Sequence, residues 1–210
     1  MSETRILLID DHPLLRKGLA QLIDEEEGLE VAGEASNGRD GLSMALELDP
    51  DLILLDLNMK GMDGLETLKA MREAGVVSRV VVLTVSEHKD DVAAMFRAGA
   101  DGYLLKDMEP EELLDLVARA ARGRLVVDDR LAQVLASVLR PEPEQGSKLA
   151  LLTPKEQEVL HFIAEGDANK VIARKMNISE GTVKVHVKRL LRKLGCRSRV
   201  EAAVWWVNER

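Results

Sequence analysis

Cys196 is the only cysteine in 210 residues, which excludes an internal disulfide and any zinc cluster built on several thiolates. That usage fits a reducing compartment, so the cytoplasm is the expected location. Aromatic residues make up only 2% of the chain, and a core must therefore be filled by Leu, Val, Ile, Ala and Met. No apolar run approaches the length of a membrane-spanning helix, and the N-terminus lacks a signal-peptide pattern. No membrane partner is expected. No internal repeat is present.

What is there is unevenly spread. The formal net charge is −8, but residues 1–123 hold 13 Lys+Arg against 26 Asp+Glu, whereas residues 149–210 hold 12 against 7. An acidic front and a basic back point to two domains with different partners, the rear one a candidate for nucleic acid.

The front half alternates short apolar runs (5–10, 29–34, 51–56, 79–84 and 102–105) with longer amphipathic stretches near 13–25, 38–48, 64–73, 88–98 and 109–122. Five βα units of this spacing predict a doubly wound, five-stranded parallel sheet of α/β flavodoxin-like order 2-1-3-4-5. The rhythm stops after Gly123. A short helix is predicted over 129–139, and residues 141–147 form a polar, proline-containing tether. Thr153-Pro154-Lys155-Glu156 is a capping box with proline at the first helical position. It opens an all-α four-helix unit with helices near 154–165, 169–176, 180–194 and 199–208. The expected organisation is 1–123, a linker over 124–149, and 150–210.

Each apolar run in the front half ends on a chemically active residue: Asp10-Asp11, Asp56, Thr84 and Lys106. In a parallel sheet the strand C-termini share one edge, where ligands bind. Three carboxylates, a hydroxyl and an ammonium would meet there, a set suited to a divalent cation plus a phosphoryl group on Asp56. Asp10, Asp11 and Asp56 are the candidate Mg2+ ligands, joined by the backbone carbonyl of Asn58. Taken alone, Asp10-Asp11 reads as a helix cap. The stretch from Asp56 also brushes against a calcium-binding loop, but Lys60 stands at a ligand position and Thr67 replaces the bidentate glutamate.

The motifs ILLIDDHPLLRKGL, DLILLDLNMKGMDGLETL, LTVS and GADGYLLKD resemble the receiver domain of bacterial two-component response regulators, with its CheY-like fold, over residues 4–122. The resemblance implies Asp56 as phosphoacceptor, Thr84 as switch hydroxyl, Lys106 as phosphoryl partner, and Tyr103 as the aromatic that swings inward with Thr84. It implies Mg2+ as cofactor, a sensor histidine kinase as partner, and a regulator, not an enzyme. Lys60 is a departure, since most receivers carry proline there. The rival is a phosphatase of the haloacid dehalogenase type, which wants a general-acid Asp two residues after the nucleophile; here that residue is Asn58.

In the rear half, Val183, Val187, Leu190, Leu191 and Leu194 form the apolar stripe of one helix, while Lys184, Lys188 and Arg192 line a second face beside Val185. With NKVIARKM before it, a three-residue turn and a Ser179 N-cap, this is helix-turn-helix geometry. Lys184 and Lys188 suit guanine O6 and N7, and Val185 a thymine methyl. Ser179, Thr182, His186 and Arg174 complete the expected contact set, with Lys170, Lys175, Arg189 and Lys193 at phosphates or solvent. The segment from Leu152 to Gly195 resembles the LuxR-type DNA-binding module. TVKVHVK, DGYLLKDMEPEEL and SRVEAAVWW are similar to its nitrate/nitrite-responsive subgroup, and a regulator answering another signal is the alternative. The resemblance implies promoter DNA as ligand, homodimerisation through the C-terminal unit, and RNA polymerase as a further partner. It also implies that the acidic receiver covers the basic recognition helix before phosphorylation. Adjacent helical residues point about 100° apart, so Trp205 and Trp206 are expected to divide between core and dimer surface. His12, His88 and His161 show no ligand spacing.

Overall fold

The computed structural model of the chain describes residues 3–127 and 148–208. Its first half runs β1 (Thr4–Ile9), α1 (Pro13–Asp24), β2 (Leu29–Ala35), α2 (Gly38–Leu48), β3 (Leu52–Leu55), α3 (Gly64–Glu73), β4 (Arg79–Thr84), α4 (Lys89–Ala98), β5 (Gly102–Leu105), α5 (Pro110–Ala121) and β6 (Val126–Val127). All strand pairs are parallel, in the order β2-β1-β3-β4-β5-β6. The expected order is present with one strand added at the edge. Val126–Val127 pairs with Gly102 and Tyr103, and two residues are too few for a periodic signal.

Period-2 alternation splits the strand residues between two cores. Leu7, Ile9, Ile53, Leu55, Val80, Val82 and Tyr103 face α2, α3 and α4. Ile6, Leu8, Leu52, Leu54, Val81, Leu83 and Leu104 face α1 and α5. Both faces being covered is why these runs are apolar without interruption.

A 3-10 turn at Lys148–Leu151 precedes α6 (Pro154–Ala164), α7 (Asn169–Met176), α8 (Glu180–Leu194) and α9 (Arg199–Asn208). The capping box is formed: Thr153 accepts from the Glu156 amide and Glu156 accepts from the Thr153 amide. Asn177 takes the left-handed conformation (φ 54°) between α7 and α8, and the Ser179 side chain accepts from Thr182 N–H to start α8. Val159, Leu160, Ile172, Val183, Val187, Leu190 and Ala202 form a third core. Trp205 and Trp206 are both half-buried against it, so they do not divide as expected. The helix over 129–139 and the tether over 141–147 lie outside the described residues.

The helical unit docks on the sheet edge opposite the strand C-termini, where the helix-to-strand loops lie. Lys184 Nζ donates to the Asp49 carbonyl (2.7 Å) and carboxylate (3.1 Å), and lies 3.5 Å from Asp51. The Lys188 tail lies against Gly75: a β-carbon there would sit 2.5 Å from Nζ. Arg197 donates to the Arg97 carbonyl, and the Arg199 amide to Asp101. Asp101 also accepts from Arg72 and from the Val80 amide, while the Arg199 guanidinium donates to Asn169 and the Asp167 carbonyl. Gly123 approaches Gly166 so closely that a β-carbon would lie 2.4 Å from its carbonyl oxygen. Arg79 is buried beside this junction; burial, then the neighbouring Arg199 charge, push its guanidinium down to about 9.

Candidate functional site

At the other edge, where β1, β3, β4 and β5 end, the expected residues come together. Lys106 Nζ lies 2.7 Å from Asp10 Oδ2 and 2.9 Å from Asp56 Oδ2, with all three side chains under 10% exposed. Asp11 stands beside them at the mouth of the pocket. The sheet dictates this meeting: Ile9 pairs with Leu55, Thr84 with Leu105, and the Asp56 amide donates to the Ile9 carbonyl.

The acidic pair does not cap α1. The N-cap residue is His12, which makes no side-chain cap bond; Asp10 Oδ1 accepts from the His12 amide instead. His12, which shows no ligand spacing in the sequence, lies over these carboxylates. Its Nδ1 lies 3.0 Å from Asp11, 3.3 Å from Asp10 and 3.8 Å from Asp56, and the four residues can bring ligand atoms within 4.8 Å of one another. Its adjacency to an acidic pair at a strand end was the available signal.

Charge and bonding in the pocket suit a hard divalent cation. Three carboxylates face one lysine and one histidine: Asp56 Oδ2 is met by the Lys106 ammonium at 2.9 Å, and the buried Asp11 Oδ1 lies 3.0 Å from His12 Nδ1. Hard cations take such carboxylate oxygens. Asn58, expected to offer its carbonyl, donates its amide to Asp56 Oδ1 (3.2 Å) and its side chain to Thr84 Oγ1 (3.3 Å). Thr84 is fully buried and also accepts from the Ser86 amide. Tyr103 is already inward: the residue is 0% exposed and its hydroxyl donates to the Ser86 carbonyl (3.0 Å). Burial, with the Asp91 charge adding, holds its hydroxyl above the ordinary tyrosine value. In this conformation Tyr103 therefore already occupies an inward position.

On α8 the apolar stripe is buried as expected. Val185 is 47% exposed, and Ser179, Thr182, Lys188, Arg192 and Arg174 are exposed as well. Lys184 is not: its side chain is 15% exposed, held by Asp49 and Asp51. His186 is half-buried, with Nδ1 unbonded among the described residues. Two cations expected at phosphates or solvent have internal partners. Lys193 donates to Glu156 (2.6 Å); Lys175 donates to Asp167 (2.6 Å) and Glu165, over the Phe162 ring. Burial works to raise the Glu156 carboxyl, but the Lys193 and Thr153 bonds outweigh it and hold that carboxyl below its ordinary range.

Comparison with known proteins agrees with this geometry. Residues 6–118 match the response regulator receiver domain family, and residues 150–206 the bacterial regulatory proteins of the luxR family. The chain is 54% identical over 206 residues to the nitrate/nitrite response regulator protein NarL of Escherichia coli K12, covering 98% of this chain and 95% of that one. It is 47% identical to NarP of the same strain over equal shares. Among solved structures, the receiver domain of the putative response regulator NarL from Mycobacterium tuberculosis aligns at 33% identity with TM-score 0.56, over 59% of this chain and all of that one. The response regulator RcsB in complex with DNA aligns at 25% identity with TM-score 0.58, over 99% and 98%. The chain belongs to the two-component response regulators that join a receiver domain to a LuxR-type DNA-binding domain.

Proposed function

We propose that the chain accepts a phosphoryl group on Asp56 from a sensor histidine kinase and thereby releases its recognition helix for promoter DNA. The observation that carries this is the pocket: Lys106 held 2.7 and 2.9 Å from Asp10 and Asp56, with the Asp11 carboxylate beside them. In the transfer an Asp56 oxygen attacks phosphorus, the P–N bond of the kinase phosphohistidine breaks, and the electron pair leaves with the imidazole. Asp10, Asp11, Asp56 and the Asn58 carbonyl would hold Mg2+, which supplies neutralisation of phosphoryl charge. Lys106 pairs with a phosphoryl oxygen. Thr84 gives up Asn58 and the Ser86 amide to donate its hydroxyl to another. With Tyr103 already inward, the surface change starts from Thr84 and residues 85–88, where Tyr103 is tied to the Ser86 carbonyl.

The chain is read as a regulator and not as a phosphatase, because Asn58 has no dissociable proton to give a leaving group. Domain limits of 1–123 and 150–210 are proposed, with Val126–Val127 adding an edge strand to the front sheet just past the first limit. The DNA-reading set is Lys184, Val185 and Lys188 at base edges, with Arg174, Ser179, Thr182, His186 and Arg192 around them. Sequestration of Lys184 by Asp49 and Asp51 supports a closed, DNA-incompetent form before phosphorylation. Val207, 67% exposed beside the two half-buried tryptophans, supports pairing of two copies through α9 on DNA. RNA polymerase is the expected neighbour at the promoter, and the cytoplasm the compartment. Relatives named for nitrate and nitrite support that signal, received by the kinase.

Footprinting of Asp56→Asn with and without a small phosphodonor tests the switch. The unmodified chain should gain protection with donor and the variant should not; equal donor-dependent protection by the variant rejects the reading.

A further inference from the structure

We infer that the main-chain amide of Lys60 is a positioning group for Asp11, tying the β3–α3 loop to the pocket by a bond that proline could not make. The Lys60 amide donates to Asp11 Oδ2 at 3.2 Å. Its direction is set from both sides. Met59 is buried, 7% exposed, in the core under α2, α3 and α4. Gly61 turns the chain through the left-handed region (φ 83°), and the Gly64 amide closes the loop on the Leu57 carbonyl. The Lys60 side chain is exposed, so its backbone, not its ammonium, reaches the acidic pair.

The consequence lies in which Asp11 oxygen is left over. Oδ2 is taken by the loop amide. Oδ1 is buried and accepts no hydrogen bond among the described residues, although His12 Nδ1 lies 3.0 Å away. One oxygen is thus anchored and the other left for a cation, which fixes the carboxylate before any ion arrives. Outer-shell bonds of this kind orient ligands, and losing one costs about tenfold or more in metal affinity. Proline at position 60 has no N–H to give. The lysine side chain works the other way, because a positive charge near the mouth of the pocket repels a cation. Position 60 therefore carries two opposed effects that substitution can separate.

This inference rests on the reading of the pocket as a Mg2+ site. The test is calorimetric titration of Mg2+ into the full-length chain. Lys60→Ala keeps the amide and removes the charge; it should bind Mg2+ as tightly as the unmodified chain or more tightly. Lys60→Pro removes both, and its dissociation constant should exceed that of Lys60→Ala about tenfold. In an Asp11→Ala background, which has no side-chain acceptor, the difference between Ala and Pro should vanish. Equal affinities for the two variants, or a difference that persists without the Asp11 carboxylate, overturn the inference. A second readout needs no proline: in the metal-free chain, Asp11→Asn should move the Lys60 amide proton resonance upfield. An unmoved resonance likewise overturns it. Failure of the unmodified chain to bind Mg2+ would instead remove the cation reading of the pocket, and the inference with it.

Discussion

Two lysine–aspartate clusters sit at opposite edges of one sheet, and burial separates their roles. Lys106 is 8% exposed between Asp10 and Asp56, at 9% and 2%. Lys184 is 15% exposed, but its partners Asp49 and Asp51 are 63% and 20% exposed and belong to the other domain. The first cluster is largely shielded from water, so removing one member leaves buried charge without compensation. The second is edged by solvent, which can replace a surface carboxylate at little cost. The same ion pair chemistry thus makes a buried cluster in one place and a solvent-edged catch between domains in the other.

Breaking the fixed cluster should have the largest effect. Lys106→Met is expected to lower stability by about 3 kcal/mol in urea unfolding, with added Mg2+ recovering part of it by mass action. Lys184→Met should change stability by no more than about 0.5 kcal/mol, yet weaken specific DNA binding of the phosphorylated chain by about 1–3 kcal/mol in a gel-shift titration. Similar unfolding costs for the two variants would erase the distinction. Asp49→Asn keeps a residue tolerant of the left-handed backbone (φ 44°) and removes one catch charge. Donor-free DNA affinity should rise about fivefold, the low end of a coupling between domains.

A third pair sharpens the contrast. Lys193 and Glu156 lie within the DNA-binding domain, with Glu156 at 3% exposure, and they behave as a fixed cluster. The folded carboxyl is held below its ordinary value of about 4.3, so its contribution is complete above that value and lost as pH falls through the lower folded one. Glu156→Gln should therefore flatten the acid side of the stability profile, measured by thermal unfolding between about pH 3 and 6. An unchanged slope would show the pair to be a surface one.

The sheet and the pocket were legible because each strand announces itself as an apolar run and each active residue ends one. Strand polarity does the rest, bringing Asp10, Asp56, Thr84 and Lys106 to one edge. The misses share a cause: periodicity tells which face a residue occupies, not what lies against that face. Lys175 and Lys193 sit on polar faces, but Asp167 and Glu156 reach them from other elements. His12 shows no ligand spacing in the sequence, yet the turn after β1 folds it back over the carboxylates it follows. For Tyr103 the sequence places the ring in β5 but not its rotamer, which the Ser86 carbonyl fixes by accepting from its hydroxyl. Docking of the two domains at the far edge rests on Asp49, Gly75, Asp101 and Gly123, loop residues with no pattern to read.

Strand β5 is only four residues long, with Asp101 just before it and Lys106 just after. Covalent chain of about 17 Å therefore separates the carboxylate that grips the helical unit from the ammonium in the acidic pocket. An insertion or deletion in that strand would flip its alternation and misplace both termini together, so neither end can drift in evolution or be redesigned in the laboratory without the other.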